Sequence, residues 1–342
     1  MELILKPLLL KLRRPFRIAH GNFNTRENLL VTLKEKNHSG YGEVAVVSYY
    51  GDTLEHVIES LQSTTILDYF RTQNEVLLET INQFPRPSSK AVCAGLQMAL
   101  YDLLGKQENQ SLSTLLGIQR SSLPPSAVTV ALSDDEARFR SELQEKSNYP
   151  IIKIKLGSGD IEWDLHLAKI AREEIQGQLC FDANGGWNLN ELFGALPKIK
   201  MLHPIYLEQP FAAHDTEAWI DFAAKRSPGI PPIIADESVC SEIDLVTLAP
   251  FIDGVNIKIS KCGGISEAIH LIHRSRELGL KVMLGCMIES SLGIGAAAHL
   301  APLADFLDLD GSLLLEQDPF DIALLDHLGN ISIPEGPGIG VL

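Results

Sequence analysis

Six short stretches carry residue types suited to proton transfer and cation binding. They are Lys153-Ile-Lys155, Asp182-Ala-Asn184, Glu208-Gln-Pro210, Asp236-Glu-Ser238, Asn256-Ile-Lys258 and Asp308-Leu-Asp310, and each closes a short apolar run. Side chains alternate faces along a strand, so Lys153 and Lys155 share one face, as do Asp308 and Asp310. A lone Asp at a strand end is usually just solvated. One carboxylate on each of three successive runs, with lysines on the runs before and after, is a constellation. Three hard oxygen ligands suit an octahedral Mg²⁺ that keeps positions open, whereas zinc would prefer His or Cys. Two lysines on opposite sides of one substrate carbon can take a proton from one face and return one to the other. A carbon acid beside a carboxylate ionises only with help. A metal on that carboxylate stabilises the enediolate, and a nearby cation lowers the lysine pKa from its usual value of about 10.4.

The elements behind these residues are regular. Eight apolar runs follow residue 125: Ala127–Ala131, Ile151–Leu156, Leu179–Ala183, Ile205–Glu208, Ile233–Asp236, Val255–Ile259, Val282–Cys286 and Phe306–Asp310. Their polar ends, from Lys155 through Asp182, Glu208, Asp236, Lys258, Cys286 and Asp308, recur every 22–28 residues. That spacing is one strand, one helix and two loops, the unit of a (β/α) barrel or of a doubly wound sheet. In a barrel the lysines stand on strands 2 and 6, diametrically opposite, and the carboxylates on strands 3, 4 and 5.

Before Pro124-Pro125 the pattern differs. Glu2–Leu12, Leu29–Lys36 and Tyr41–Val47 read as strands, the last two joined by a turn at Asn37-His-Ser-Gly40. Asp52-x-x-Glu55 resembles a capping box, and Ser88/Ser89 can cap a helix whose apolar face is Val92, Leu96, Ala99 and Leu103. Strands and then helices, without alternation, make a small α+β unit.

Composition narrows the partners. Forty-four acidic against 29 basic residues give a net charge of −15, which repels a phosphate backbone and excludes nucleic acid as a partner. No apolar run is long enough to span a membrane, and the start lacks the order of a signal peptide. Five scattered cysteines without a Cys-x-x-Cys fit a reducing, cytoplasmic setting. Gly293-Ile-Gly295 imitates a dinucleotide fingerprint but lacks its βαβ context, so helix packing is the plainer reading. Cys286 lacks a base beside it and reads as a wall residue. His299 reads as packing.

These stretches, together with Asp182-Ala-Asn-Gly-Gly-Trp187, Ala235-Asp-Glu-Ser238 and Asn256-Ile-Lys-x-x-Lys-Cys-Gly-Gly264, resemble the enolase superfamily, in its muconate-lactonizing-enzyme subgroup. The resemblance implies an α/β fold: a (β/α)7β TIM-like barrel over residues 125–312, an N-terminal α+β capping domain over 1–124, and a segment 313–342 returning to the cap. It also implies Asp182, Glu208 and Asp236 as Mg²⁺ ligands and Lys155 and Lys258 as the acid/base pair, with Lys153 assisting.

Within the subgroup the dipeptide epimerases are most similar. Their Asp-x-Asp on strand 8, matched by Asp308 and Asp310, grips the substrate ammonium. Thr129 and the Cys286, Met287 and Ile288 stretch match positions that contact substrate. Phe23 lies in the cap loop Ile18–Arg26, where the second side chain is chosen. An Arg often stands early in that loop in L-Ala-D/L-Glu epimerases. Here the middle reads His20, Gly21, Asn22 and Phe23, with Arg26 later, which leaves the second residue open. The implied activity is an isomerase inverting the C-terminal residue of a dipeptide by two-base 1,1-proton transfer, in cell-wall peptide metabolism. Relatives are often homo-oligomers. Two alternatives remain. One is an o-succinylbenzoate synthase/N-succinylamino acid racemase or muconate cycloisomerase-type lyase; the other is a non-catalytic binding protein, which would not need three lysines.

Overall fold

The computed structural model describes residues 1–73, 78–119 and 122–341. A three-stranded antiparallel sheet comes first, built from β1 (Glu2–Ile18), β2 (Gly21–Glu35) and β3 (His38–Val44). Period-two alternation makes its inner face: Leu8, Leu10 and Leu12 on β1 and Leu29, Val31 and Leu33 on β2 are buried. The helix Lys90–Glu108 packs on β2 and β3. Ser89 caps it, its Oγ accepting from Val92 N at 3.2 Å, and Asn109 ends it in the left-handed region at φ 52°. Val92, Leu96, Ala99 and Leu103 are buried as expected, but so is every residue from Ala91 to Gly105, because the barrel covers the side the sheet leaves open.

Glycine sets the approach of sheet to helix. A Cβ at Gly42 would lie 2.0 Å from the Gly95 carbonyl oxygen, and one at Gly40 would lie 2.1 Å from that of Ala99. Gly42→Ala is therefore expected to cost about 2–3 kcal/mol, since neither backbone can yield locally. Denaturant titration reads this as a lower midpoint; a loss below about 0.5 kcal/mol would show that the helix can shift freely.

Three local expectations change. Ile18–Arg26 is not a loop: Ala19 and His20 alone make the turn, and the strands run on because Phe16 and Phe23 pair across the hairpin. Asp52 and Glu55 form no capping box. Thr53 caps the helix Leu54–Leu61, accepting from His56 N, since its hydroxyl is the one adjacent to the first turn. The β2–β3 turn lies at Lys36-Asn37, one step early, with Lys36 at φ 51°; His38, Ser39 and Gly40 already pair with β2.

Eight parallel strands follow: β4 (Val128–Val130), β5 (Ile151–Lys155), β6 (Gln178–Asp182), β7 (Leu207–Glu208), β8 (Ile233–Ala235), β9 (Gly254–Ile257), β10 (Lys281–Gly285) and β11 (Phe306–Asp308). Each expected run overlaps one, with β6, β9 and β10 starting one residue earlier than expected. A parallel bridge between Ser126 and Leu307 brings the last strand beside the first, so the sheet nearly closes as a barrel. Inside its N-terminal end, Ala127, Ile151, Cys180, Tyr206, Ile234 and Met283 form an apolar plug. Polar side chains are thereby confined to the C-terminal mouth.

The tail returns to the cap. Leu112 N donates to Gly338 O at 2.7 Å, and Ile339 N donates to Asp102 Oδ1 at 2.7 Å. His299 is a packing residue: its Nδ1 accepts from Ser113 N at 3.2 Å, and its Nε2 lies 3.0 Å from Ile339 O. Both glycines of the Gly293-Ile-Gly295 decoy serve packing as well. A Cβ at Gly293 would press on Glu289 and one at Gly295 on Val341 and Ile339. Among the described residues no helix is long and apolar enough to cross a membrane.

Candidate active site

The strand register brings the sequence-predicted residues to one place. Lys155 is level with Asp182, and Asp182 with Glu208, on neighbouring strands. Asp182, Glu208, Asp236 and Lys153 are fully buried; Lys155 and Lys258 are nearly so. Lys155 Nζ lies 2.6 Å from Asp182 Oδ2, and Lys258 Nζ lies 2.6 Å from Asp236 Oδ2. Lys153 Nζ bridges three carboxylates, at 3.0 Å from Asp182, 2.7 Å from Glu208 and 2.7 Å from Asp308. β5 and β9 stand four strands apart in the eight-stranded ring, so Lys155 and Lys258 enter the mouth from opposite sides.

The electrostatics follow from burial and neighbours. Burial opposes the charge on Asp182, but Lys153 and Lys155 outweigh it and lower its pKa to about 2. Asp236 is lowered too, with Lys258 and Lys261 overcoming the burial cost. Glu208 goes the other way: burial, then the charge of Asp182, raises it to about 8. Lys153 and Lys258 are raised, because facing carboxylates outweigh the desolvation that would discharge them. Burial, and then Asp308 and Asp310, push the Cys286 thiol well up, which keeps it protonated and supports its reading as a wall residue.

Three features support a divalent cation at this donor set. Its members are carboxylates on adjacent strand ends, the hard oxygens such an ion takes. Glu208 Oε2 is buried and accepts no hydrogen bond, although the Lys153 ammonium faces it. Asp182, Glu208, Asp236, Glu237, Asp308 and Asp310 are six carboxyl groups against the four ammoniums of Lys153, Lys155, Lys258 and Lys261, a formal excess of two negative charges. Among the described residues no three acidic, His or Cys side chains stand as an assembled metal cluster, and the lysine ammoniums occupy the spaces between these carboxylates.

Above this floor lies a cavity of about 1140 Å³, counting its open mouth. Thr129, Cys286, Met287, Ile288, Asp308, Asp310 and Phe23 all line it, with Lys155 and Lys258. Asp310 Oδ2 accepts from Thr129 N at 2.6 Å, while Asp308 Oδ1 is buried without a hydrogen-bond partner. Several lining residues had no signal in sequence. Tyr49 and Tyr50 come from a single 3-10 turn of the cap, with His20 stacked on Tyr49 at 4.4 Å between ring centres. Arg26, which the sequence did place in this cap segment, stacks its guanidinium 3.5 Å over the Phe23 ring. Lys261 and Asn256 lay inside a quoted motif, yet their duties are long-range: Lys261 Nζ reaches Asp236 Oδ1 at 2.6 Å, and Asn256 Nδ2 donates to Glu208 Oε1 at 2.8 Å.

Two family models match. Residues 2–117 match the mandelate racemase / muconate lactonizing enzyme N-terminal domain, and residues 135–342 match the enolase C-terminal domain-like model. An L-Ala-D/L-amino acid epimerase of a Maribacter species is 31% identical, covering 100% of this chain and 99% of its own. A hydrophobic dipeptide epimerase of Roseobacter litoralis is 35% identical over 97% of this chain and 96% of its own. The crystal structure of an Enterococcus faecalis dipeptide epimerase with Mg and L-Leu-L-Tyr superposes with TM-score 0.86 at 26% identity, covering 99% and 98% of the two chains. Matched in both domains along nearly its whole length, this chain belongs to the mandelate racemase / muconate lactonizing enzyme family of the enolase superfamily.

Proposed function

We propose that the protein is a Mg²⁺-dependent dipeptide epimerase, an isomerase that inverts the α-carbon of the C-terminal residue of its substrate. The observation that carries this reading is the entry of Lys155 and Lys258 into one cavity from opposite strands of the ring. The names of the full-length relatives agree with it. In this reading Asp182, Glu208 and Asp236 hold the ion. Bound there, Mg²⁺ supplies positive charge that stabilises the ionised α-carbon through the substrate carboxylate and lowers the lysine pKa values. Lys155 and Lys258 then work as one base and one acid, exchanging roles between enantiomers. Lys153, fixed between three carboxylates, holds positive charge near the substrate carboxylate. Asp308, with its free Oδ1, and Asp310 take the substrate ammonium. Thr129, Cys286, Met287 and Ile288 flank the peptide. Phe23 and its neighbours wall the second side chain.

The same reading places the enzyme in the cytoplasm, is compatible with the homo-oligomers its relatives often form, and divides the chain into cap 1–124, barrel 125–312 and returning segment 313–342. A panel of L-alanyl dipeptides incubated in D₂O tests the reaction. One deuteron per molecule, at the α-carbon of the C-terminal residue, with loss of configuration is expected, abolished by chelation and restored by Mg²⁺. No exchange with any member would overturn the reading. The deuterated members also show whether Arg26 or the apolar wall decides the second residue.

Stability should carry a matching pH signature. Glu208 is raised to about 8, Glu237 and Glu289 to about 7 and Asp310 to about 6, each chiefly by burial. A raised carboxyl pKa means the folded state holds the proton more tightly than the unfolded one. Its stabilisation is complete below the unfolded pKa of about 4.3 and fades as pH rises through about 6–8. The metal-free thermal midpoint should therefore fall from pH 5 to pH 8.5. Mg²⁺ should raise it more at pH 8 than at pH 5.5, where Glu208 must first lose its proton. Equal Mg²⁺ shifts at both values would remove Glu208 from the ligand set.

A further inference from the structure

Two buried carboxyl groups outside the proton-transfer site meet where the cap touches the barrel. Glu43, at the end of β3, is fully buried and pairs with the first turn of the barrel helix Ser291–Ala298. Ser290 donates to it through both N, at 3.1 Å, and Oγ, and Asn28 Nδ2 of β2 donates at 2.7 Å. Glu289 is 4% exposed, and its Oε2 accepts from Met287 N at 3.0 Å. Asn28 Nδ2 also donates to Ile288 O at 3.0 Å. The cap thus grips the Ile288 carbonyl, while Glu289 of the barrel holds the Met287 amide, and these two residues form one wall of the substrate cavity. Gly293 leaves room for this packing: a Cβ there would lie 2.8 Å from Glu289 Oε1.

Two carboxylates cannot both be charged at such a site without cost, since burial penalises each charge and each opposes the other. We propose that Glu43 and Glu289 form a proton-sharing clasp between cap and barrel that holds the Met287–Ile288 wall in its substrate-binding position. Burial raises the Glu43 pKa, but its donors favour the charged form: two from Ser290, one from Asn28 and the Gly293 amide. Glu289 has one backbone donor and carries the proton. Burial first, then Glu43, raises it to about 7, with Lys258 on β9 as the opposing cation. The pair titrates as a unit. Loss of the shared proton places two like charges across the interface and loosens the wall. Glu43 is a positioning residue: it acts on substrate through Ser290, Asn28 and the Met287–Ile288 backbone.

The inference rests on the dipeptide reading for its kinetic arm only. Mg²⁺-loaded wild type, Glu43→Gln and Glu43→Ala are assayed with the L-alanyl dipeptide panel between pH 7 and pH 9. With KM expressed on the ammonium form of the dipeptide, whose pKa is about 8, wild-type KM should still rise about tenfold across this range, beyond any change in kcat. Glu43→Gln keeps an oxygen acceptor and cannot ionise, so its KM should change less than about twofold, while Glu43→Ala should show a high KM at every pH. Infrared difference spectra from pH 6 to pH 9 supply a second readout. Beyond the signals of Glu208, Glu237 and Asp310, wild type should lose the carbonyl stretch of one further buried carboxyl group; that band should be missing from the Glu289→Gln difference and should be lost at lower pH in Glu43→Gln. A Glu43→Gln enzyme that keeps the wild-type KM rise, or an unchanged infrared difference, would overturn the clasp. If wild type turns over no dipeptide, the functional reading fails while the spectra still test the clasp.

Discussion

Lys155→Ala and Lys258→Ala are each expected to abolish epimerisation, with at least about a 1,000-fold loss, yet to keep hydrogen exchange at one enantiomer. The two ammoniums enter the cavity from β5 and β9, on opposite sides of the ring. Removing one leaves the other able to take a proton from its own face and return a deuteron there. Lys155→Ala should thus wash deuterium into only one configuration of the C-terminal residue, and Lys258→Ala into only the other. Mass spectrometry after chiral derivatisation separates the products. A single-base enzyme would lose both exchanges in one variant and neither in the second, and that pattern would refute the two-base assignment. Both variants should fold, because each shortens a side chain at the cavity surface. Lys155→Ala leaves Lys153 on Asp182, and Lys258→Ala leaves Lys261 on Asp236.

Asp310→Asn should lower kcat/KM for free dipeptides by about 100-fold or more, mostly through KM, because it removes one partner of a buried charge pair. An asparagine oxygen can still accept from Thr129 N, so the local backbone stays in place. Asp308→Asn should lose more and should lower kcat as well, since Asp308 also holds the Lys153 ammonium at 2.7 Å. N-acylated dipeptides are the control. They lack the ammonium, so Asp310→Asn should narrow the preference for free over blocked substrate. A lyase of the same family has no ammonium for these aspartates to hold. Unchanged dipeptide kinetics in both variants would favour that alternative.

Much of the chemistry was legible in sequence because strand ends are local. Period two put Lys153 with Lys155, and the 22–28-residue recurrence put Asp182, Glu208 and Asp236 on successive strands. Asp308 and Asp310, and the wall at Cys286–Ile288, followed from the resemblance and line one cavity. The roof was not legible. Tyr49 and Tyr50 reach the mouth only because the helix Lys90–Glu108 docks the cap sheet on the barrel, through glycines with no local pattern. The hairpin at Ala19-His20 was misread as a loop because its strands are held by cross-strand pairing of Phe16 with Phe23, a contact that composition does not show.

The sequence alone determined which strand ends carry the lysines and carboxylates, and the family resemblance added the ring that sets the type of reaction they can support. Hydrophobic periodicity and residue type are properties of neighbouring residues, and they survive any detail of packing. Only the tertiary structure decided which carboxyl groups keep a proton. Glu208 and Glu289 are raised while Asp182 and Asp236 are lowered, although all four are buried acidic residues near strand ends. The difference lies in which ammonium or second carboxylate stands within a few ångströms after residues far apart in the chain are brought together. In a desolvated interior those distances set the charge.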